Sequence, residues 1–483
     1  MAVIAAFVIN AGLNFVLGLV IAWLLGPADF GRFALATAGA VVLNTLLFEW
    51  LRLSATRFYS ARVREAEPWI RASLDRAYAV LALILLAAAA LCAGLGLWIE
   101  PSPAGRLAMA AGTAVAAIGI GVFDYHAALA RARFVGGTYL RLVVWKNVCG
   151  VVLMGAAAGG LGQPVWVLVA AGLSQFLAVL PMRAALRDPR TAPRDGVKSR
   201  DALRTFATYG LPLIAANGIY QILPFLNRSV LAASAGFAEA GYFALAADLG
   251  SRVFSTLGTA LDLLLFQLAV QAEEHHGREA AEAQVARNVG VVVALLLPAA
   301  TGYWAVAPAL RDLLVPEAFR PAFAPYTGAL IPGLIGLALM NFALNPIFQI
   351  RRRTGPVVAA AAIGLAVDGV GLAVLPGLAG PIGVAWAQTL GLGASVAILS
   401  LRALAGPDRL VLPWRDLALA AAASLAMLLA LTPFRALAPA YALPVCVGIG
   451  GGLYAGLVWA FDIAGLRAAV LDRFGRRPAL PAG

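Results

Sequence analysis

The sequence predicts an all-α polytopic membrane protein: about fourteen transmembrane helices in two parallel-repeat bundles around a central cavity. Three observations lead there. Hydrophobic residues make up 62% of the 483 positions and charged residues only 12%, with a mean hydropathy of +0.86. Soluble domains carry about a quarter charged residues. Apolar stretches of roughly 20 residues, each long enough to cross a bilayer as helix, recur along the whole chain. Finally, GPADFGRFALA (26–36) returns as GFAEAGYFALA (236–246), with seven of eleven positions identical at an offset of 210.

Apolar runs read against their polar and Gly/Pro breaks place six spans at 3–25, 33–57, 77–99, 107–129, 139–160 and 164–185. Eight more follow at 206–231, 241–269, 287–306, 325–349, 356–376, 381–401, 416–433 and 442–463. If the last two runs are not spans, the count is twelve. A porin would instead show segments of about ten residues with two-residue periodicity. The first run lacks a basic flank and a small-residue cleavage site, so it reads as a membrane helix rather than a signal peptide.

The longest polar stretch, RDPRTAPRDGVKSRDALR (187–204), is the one good linker. It divides the chain into a six-helix bundle (1–186), a basic linker (187–205), a second six-helix bundle (206–403) and a two-helix hairpin with tail (404–483). No soluble domain fits, which argues against a fused ATPase or kinase.

The net charge of +12 comes from 34 Arg and two Lys against 24 acids. It reads as membrane topology, not nucleic-acid binding. With the N-terminus inside, 28 of the 36 basic residues fall on the cytoplasmic side and six outside, a strong orientation signal. The expectation is a bacterial inner-membrane protein with both termini cytoplasmic. Cys92, Cys149 and Cys446 sit singly in apolar runs as packing residues, and no metal or cofactor site is visible.

Each copy of the repeated segment follows an odd-numbered span and opens the next. Gly26 and Gly236 let the chain leave a helix, Asp29 and Glu239 sit near a helix N-terminus, and Gly31 and Gly241 permit close backbone approach. Six helices separate the copies, so direction is restored and the halves are parallel repeats about an axis along the membrane normal. Two such bundles facing a cavity make an alternating-access plan.

An apolar first helix with Asn14-Phe15, then LLGPADFGRFALA, then YGLPLIAANGI (209–219) and the matched second turn resembles the polysaccharide flippase family. These are Wzx-type O-antigen and teichoic-acid exporters of the multidrug/oligosaccharidyl-lipid/polysaccharide (MOP) superfamily. The resemblance implies a MATE-like fold and movement of undecaprenyl-diphosphate-linked oligosaccharide, without bond chemistry, in polysaccharide or lipopolysaccharide biosynthesis. It also implies membrane lipids, a coupling ion (H+ or Na+) and polymerase or glycosyltransferase machinery as partners. Many members carry an acid before the Arg that ends the seventh span. Here the segment is LNRS, with Asn227-Arg228, which weakens an ion-coupling role at that position.

Ionisable residues inside spans are costly and are functional candidates by default. Glu49 and Arg52, three apart, share a helix face, as do Asp248 and Arg252, four apart. A cavity holding Arg suits a diphosphate, because guanidinium binds phosphate oxygens in bidentate geometry. The alternative is a self-neutralising pair that fixes packing. Arg57 and Arg228 either meet substrate or snorkel to an interface. Arg141 and Lys146 either receive a diphosphate or anchor their helix.

Asn217 and Gln221 suit sugar hydroxyls or helix–helix hydrogen bonds. Asp262 and Asp368 are the ion-coupling candidates, and Asp124 with His126 ends the fourth span. A drug/cation antiporter of the same superfamily would ask for acids rather than arginines in the cavity. A polymerase or ligase would ask for a large outside loop, and the longest here is about 18 residues (307–324). A non-transporting scaffold stays open.

Overall fold

The computed structural model describes residues 2–59, 69–97, 100, 102–187, 196–351, 353–405, 409–468 and 471, and every regular element among them is helical. Arg62, Arg64, Arg352, residues 188–195 of the linker and the end of the basic tail lie outside the described residues. The chain divides into two compact units, Met1–Leu245 and Ala246–Gly483.

The first unit holds α1 (Ala2–Asn44), α2 (Trp50–Phe58), α3 (Trp69–Gly94), α4 (Pro103–Ala132), α5 (Gly136–Ala156), α6 (Pro164–Val179) and α7 (Gly196–Ser234), with the opening of α8 (Phe237–His276). The second unit continues with α9 (Arg278–Leu313), α10 (Arg320–Leu339), α11 (Asn345–Ile350), α12 (Gly355–Ala379), α13 (Ile382–Leu404), α14 (Trp414–Leu431) and α15 (Pro439–Phe461).

Among the described residues, eleven helices are long and apolar enough to cross a membrane. Fourteen spans were expected, and the difference has identifiable sources. Spans one and two form a single 47-residue run, Gly12–Phe58, that bends at Gly26 (φ 70°) before Pro27. At 1.5 Å per residue it is long enough to cross twice. Spans seven and eight correspond to α7 and α8, of 39 and 40 residues, parts of which lie outside the described side chains; they are not among the eleven.

The repeated turns take the backbone that glycine makes available: Gly26 has φ 70° and Gly236 φ 93°. What the repeat does physically is specific. A Cβ on Gly31 would overlap the Phe237 carbonyl and lie 2.9 Å from the Gly241 nitrogen; one on Gly241 would overlap the Pro27 carbonyl and lie 3.1 Å from the Gly31 nitrogen. The two copies pack on each other, backbone to backbone, as small residues allow between membrane helices. Arg32 closes this crossing: it donates to Asp29 (2.9 Å) and Glu100 (2.8 Å) and lies 4.5 Å over the Phe237 ring.

From the crossing, the second half of α1 and then α2 run antiparallel to α7. Arg228 donates from Nη1 to the Ala34 carbonyl (2.9 Å), Phe225 lies on Gly39, and Ser54 donates to the Phe206 carbonyl (3.0 Å). Gly210 lets the Trp50 carbonyl approach to 2.7 Å of where a Cβ would stand.

Three wide π-helical turns occur among the described residues: one closes the span that ends at Leu161 (Ala157–Leu161), and two interrupt spans, at Thr45–Glu49 and Met340–Leu344. Each of the latter two seats a phenylalanine on a glycine of another helix in its own unit. Phe48 lies on Gly121 of α4, and Phe342 fills the notch at Gly258 of α8. The turn at Met340–Leu344 has a local cause: Pro346, two residues beyond it, lacks an N–H and crowds the carbonyl of Phe342 four residues back. In the second unit α12 and α13 pack as a close pair, while α14 and α15 pack on α9, where Tyr454 donates to the Ala294 carbonyl (2.6 Å).

Gly31→Ala or Gly241→Ala is expected to lower stability by about 1–3 kcal/mol through overpacking against backbone. Gly155→Ala, with nothing within 4 Å, should stay within about 0.5 kcal/mol. Thermal unfolding of the purified variants in detergent checks both.

Candidate functional site

The site in the first unit starts from the wide turn at Thr45–Glu49. An extra residue in a helical turn rotates the helix beyond it, and such turns are frequent at functional sites. Here the turn buries Phe48, whose carbonyl accepts from the Tyr78 hydroxyl (3.4 Å). It leaves Glu49 facing α7, where Glu49 Oε2 accepts from Asn217 Nδ2 at 3.0 Å across 168 residues of sequence. One turn on, Arg52 donates from Nη2 to Glu49 Oε1 at 2.5 Å.

Both side chains are largely withdrawn from solvent, Arg52 at 23% and Glu49 at 14% exposed. The Nε of Arg52 is buried and has no hydrogen-bond partner. A guanidinium thus presents one edge to a carboxylate that is itself held, and keeps a dry N–H donor in hand. Buried donors of this kind cost free energy until something accepts from them, and a guanidinium edge fits the oxygens of a phosphate or carboxylate.

Two further ionisable groups surround the pair. Asp124 of α4 and Lys146 of α5 lie within electrostatic reach of each other, and Asp124 also reaches Arg52 and Glu49. Lys146 Nζ sits 5.2 Å over the Phe123 ring. Behind them, on α3 and α4, the Tyr78 and Tyr125 rings stack at 4.5 Å. Tyr125 donates to Asp75 Oδ1 (2.9 Å), which also accepts from Arg71 Nε (3.0 Å). The sequence places Asp124 near the end of the fourth span; the structure continues α4 to Ala132 and sets Asp124 two turns inside it.

The remaining sequence candidates fall elsewhere. Arg57 is exposed near the end of α2. Arg141 is exposed and donates to the Gly137 carbonyl of its own helix (3.4 Å), an anchoring contact. Gln221 is half-buried on α7. Arg228 is only 6% exposed and donates to the Ala34 carbonyl. His126 donates to the Val122 carbonyl (2.8 Å) as a packing histidine.

In the second unit Asp248 and Arg252 share a face of α8. The Ser251 and Ser255 hydroxyls donate to their respective carbonyls. The side chain of Asp262 lies outside the described residues. Asp368 is fully buried on α12, with its Cβ where α13 comes close at Gly391. Asn345 donates to Asn341 (3.4 Å) across the wide turn at Met340–Leu344. Among the described residues no cluster of His, Cys, Asp and Glu is arranged to hold a metal ion.

This helical order is similar to the fold of solved MOP-superfamily transporters. The chain is similar to a structure of the lipid II flippase MurJ in an inward closed conformation, with a TM-score of 0.74 and 14% identity over 94% of this chain and 98% of that one. It is also similar to an inward-facing MATE-family multidrug resistance transporter (TM-score 0.54, 14% identity, 81% of this chain and 92% of that one). A MOP-superfamily transporter from Pyrococcus furiosus, described by a binding pocket of reverse polarity, gives a TM-score of 0.50 at 15% identity over 89% and 94%. At these identities the likeness is one of fold. No protein-family model and no curated relative matches the chain.

Removing Glu49 strands a half-buried cation, so Glu49→Ala should be the more damaging single change. Adding Arg52→Ala to it is expected to return about 1 kcal/mol. A double-mutant cycle read by thermal unfolding measures that coupling.

Proposed function

We infer that the protein is a flippase: it moves a lipid-linked oligosaccharide with a polyprenyl diphosphate between the leaflets of a bacterial inner membrane, making and breaking no bond. The observation that carries this is the Arg52 edge, fixed by Glu49 and Asn217 and holding a buried Nε without a partner. A diphosphate oxygen supplies the missing acceptor, and Lys146 adds a second positive group nearby. Polar amides on α7, Asn217 and Gln221, suit the hydroxyls of a sugar.

Fold likeness alone does not choose between substrates, since a lipid II flippase and multidrug transporters share it. The unpartnered Arg52 Nε donor favours the diphosphate. An exporter of cationic drugs needs a carboxylate free to meet its cargo, whereas Glu49 already accepts from both Arg52 and Asn217. In this scheme the site faces the two membrane surfaces alternately, driven by an ion gradient or the membrane potential. Asp262 and Asp368 are the ion-coupling candidates, and polymerase or glycosyltransferase machinery acts on the cargo before and after.

The test is reconstitution in vesicles with a fluorescent polyprenyl-diphosphate oligosaccharide, following loss of label accessible from outside. Arg52→Ala should slow transfer about 10- to 100-fold, the worth of a charge-assisted hydrogen bond. Arg52→Lys should fall between, because a point charge replaces a bidentate fork. Wild-type rates for Arg52→Ala would overturn the assignment. In cells, loss of the gene should build up the lipid-linked unit; full-length polymer with no accumulation would count against it.

A further inference from the structure

At the end of α2 lies a second place where ligand chemistry converges. A cleft of about 390 Å³ is lined by Phe58, Arg204, Thr205, Thr208 and Tyr209. Its aromatic wall is fixed. The Phe58 ring stacks on Phe206 at 5.6 Å and receives the edge of Tyr209 at 5.2 Å, while the Phe206 carbonyl is tied to the buried Ser54 hydroxyl. The polar groups are equally defined. Thr205 and Thr208 each donate their hydroxyl proton to a carbonyl of α7, of Asp201 and Arg204, both at 2.9 Å. Each oxygen therefore has only lone pairs left, as an acceptor. The Arg204 guanidinium is exposed and takes part in no ion pair among the described residues.

Aromatic faces, two hydroxyl acceptors and one uncommitted guanidinium are complementary to a sugar phosphate. The ring lies against Tyr209 and Phe58, its hydroxyls donate to the threonines, and the phosphate accepts from Arg204. Position narrows the source. The first membrane run ends at Phe58, and Arg204 closes the basic stretch 187–204, so the cleft stands at headgroup depth. Phe58 is six residues beyond Arg52, about 9 Å along one helix. Tyr209 is eight residues before Asn217 on the facing helix. The cleft and the Glu49–Arg52–Asn217 site are thus two stations on one α2–α7 seam, whose helices meet closely where Trp50 packs on Gly210.

We propose that this cleft is an interfacial subsite for the glycosyl-phosphate head of a membrane-anchored lipid, loaded before the head reaches Arg52. The proposal rests on the flippase reading.

It is tested with full-length protein in nanodiscs, titrated with three probes: a short-chain polyprenyl diphosphate disaccharide, the same polyprenyl diphosphate without sugar, and a free sugar 1-phosphate. Arg204→Gln is expected to raise Kd about fivefold for both lipid probes, with Arg204→Lys recovering part of the loss. Tyr209→Leu is expected to raise Kd about threefold for the disaccharide lipid alone. Both side chains are exposed, and an unchanged thermal midpoint separates lost binding from lost fold.

Wild-type affinity in Arg204→Gln and Tyr209→Leu together would overturn the subsite while leaving the flippase reading standing. Failure of the wild-type protein to bind either lipid probe would overturn both. Free sugar phosphate binding as tightly as the lipid would make the ligand a soluble one and overturn the membrane-anchored assignment.

Discussion

The reciprocal crossing at Gly31 and Gly241 is the contact on which the first unit is built. Two backbones meet there at a distance that no side chain tolerates, and each glycine is the reason the other must be one. Once the crossing is made, the register between α1–α2 and α7 follows along its length. Ala34 comes opposite Arg228, Gly39 under Phe225, Glu49 opposite Asn217, and Ser54 opposite Phe206. A slip by one residue would break each of these together. The polar contact at Glu49 is therefore set by a packing contact about 18 residues away, some 27 Å along the helix.

The wide turn at Thr45–Glu49 works against that regularity and gives the site its shape. A continuous α-helix would keep Glu49 and Arg52 on one face, able to neutralise each other and little more. Seating Phe48 on Gly121 turns the chain so that Glu49 spans two helices, accepting from Arg52 on one oxygen and Asn217 on the other. The arginine is positioned but not saturated. A similar device recurs at Phe342 and Gly258, where it presents asparagines instead of a charged pair. The two units thus share a way of distorting a helix without sharing what the distortion presents.

The sequence made the class legible through composition, and the turn glycines legible through the repeat, because both are written in local residue choice. The Glu49–Arg52 pair was legible for the same reason, since a spacing of three fixes a shared helix face. Asn217 as the second partner of Glu49 was not, because contacts between residues 168 apart depend on a helix register that no local pattern encodes. Arg228 reads as an interfacial arginine from its place near a helix end, and only the structure shows it spent on a main-chain carbonyl. The helix count was least legible. A bend at Gly26 runs two expected spans into one continuous helical run.

The placement of α7 has a consequence for how the chain is made. The groove of α1 and α2 that α7 fills is complete once residue 58 has been synthesised, yet α7 ends at Ser234. At translation rates of about 5–20 residues per second, that groove waits on the order of 10–35 s for its partner. During this time the Ala34 carbonyl, Gly39 and Glu49 face lipid, the insertion machinery or the helices made in between. Biogenesis of this protein therefore includes an interval in which its most tightly matched surface is open, and whatever shields that surface in the membrane is part of how the fold is reached.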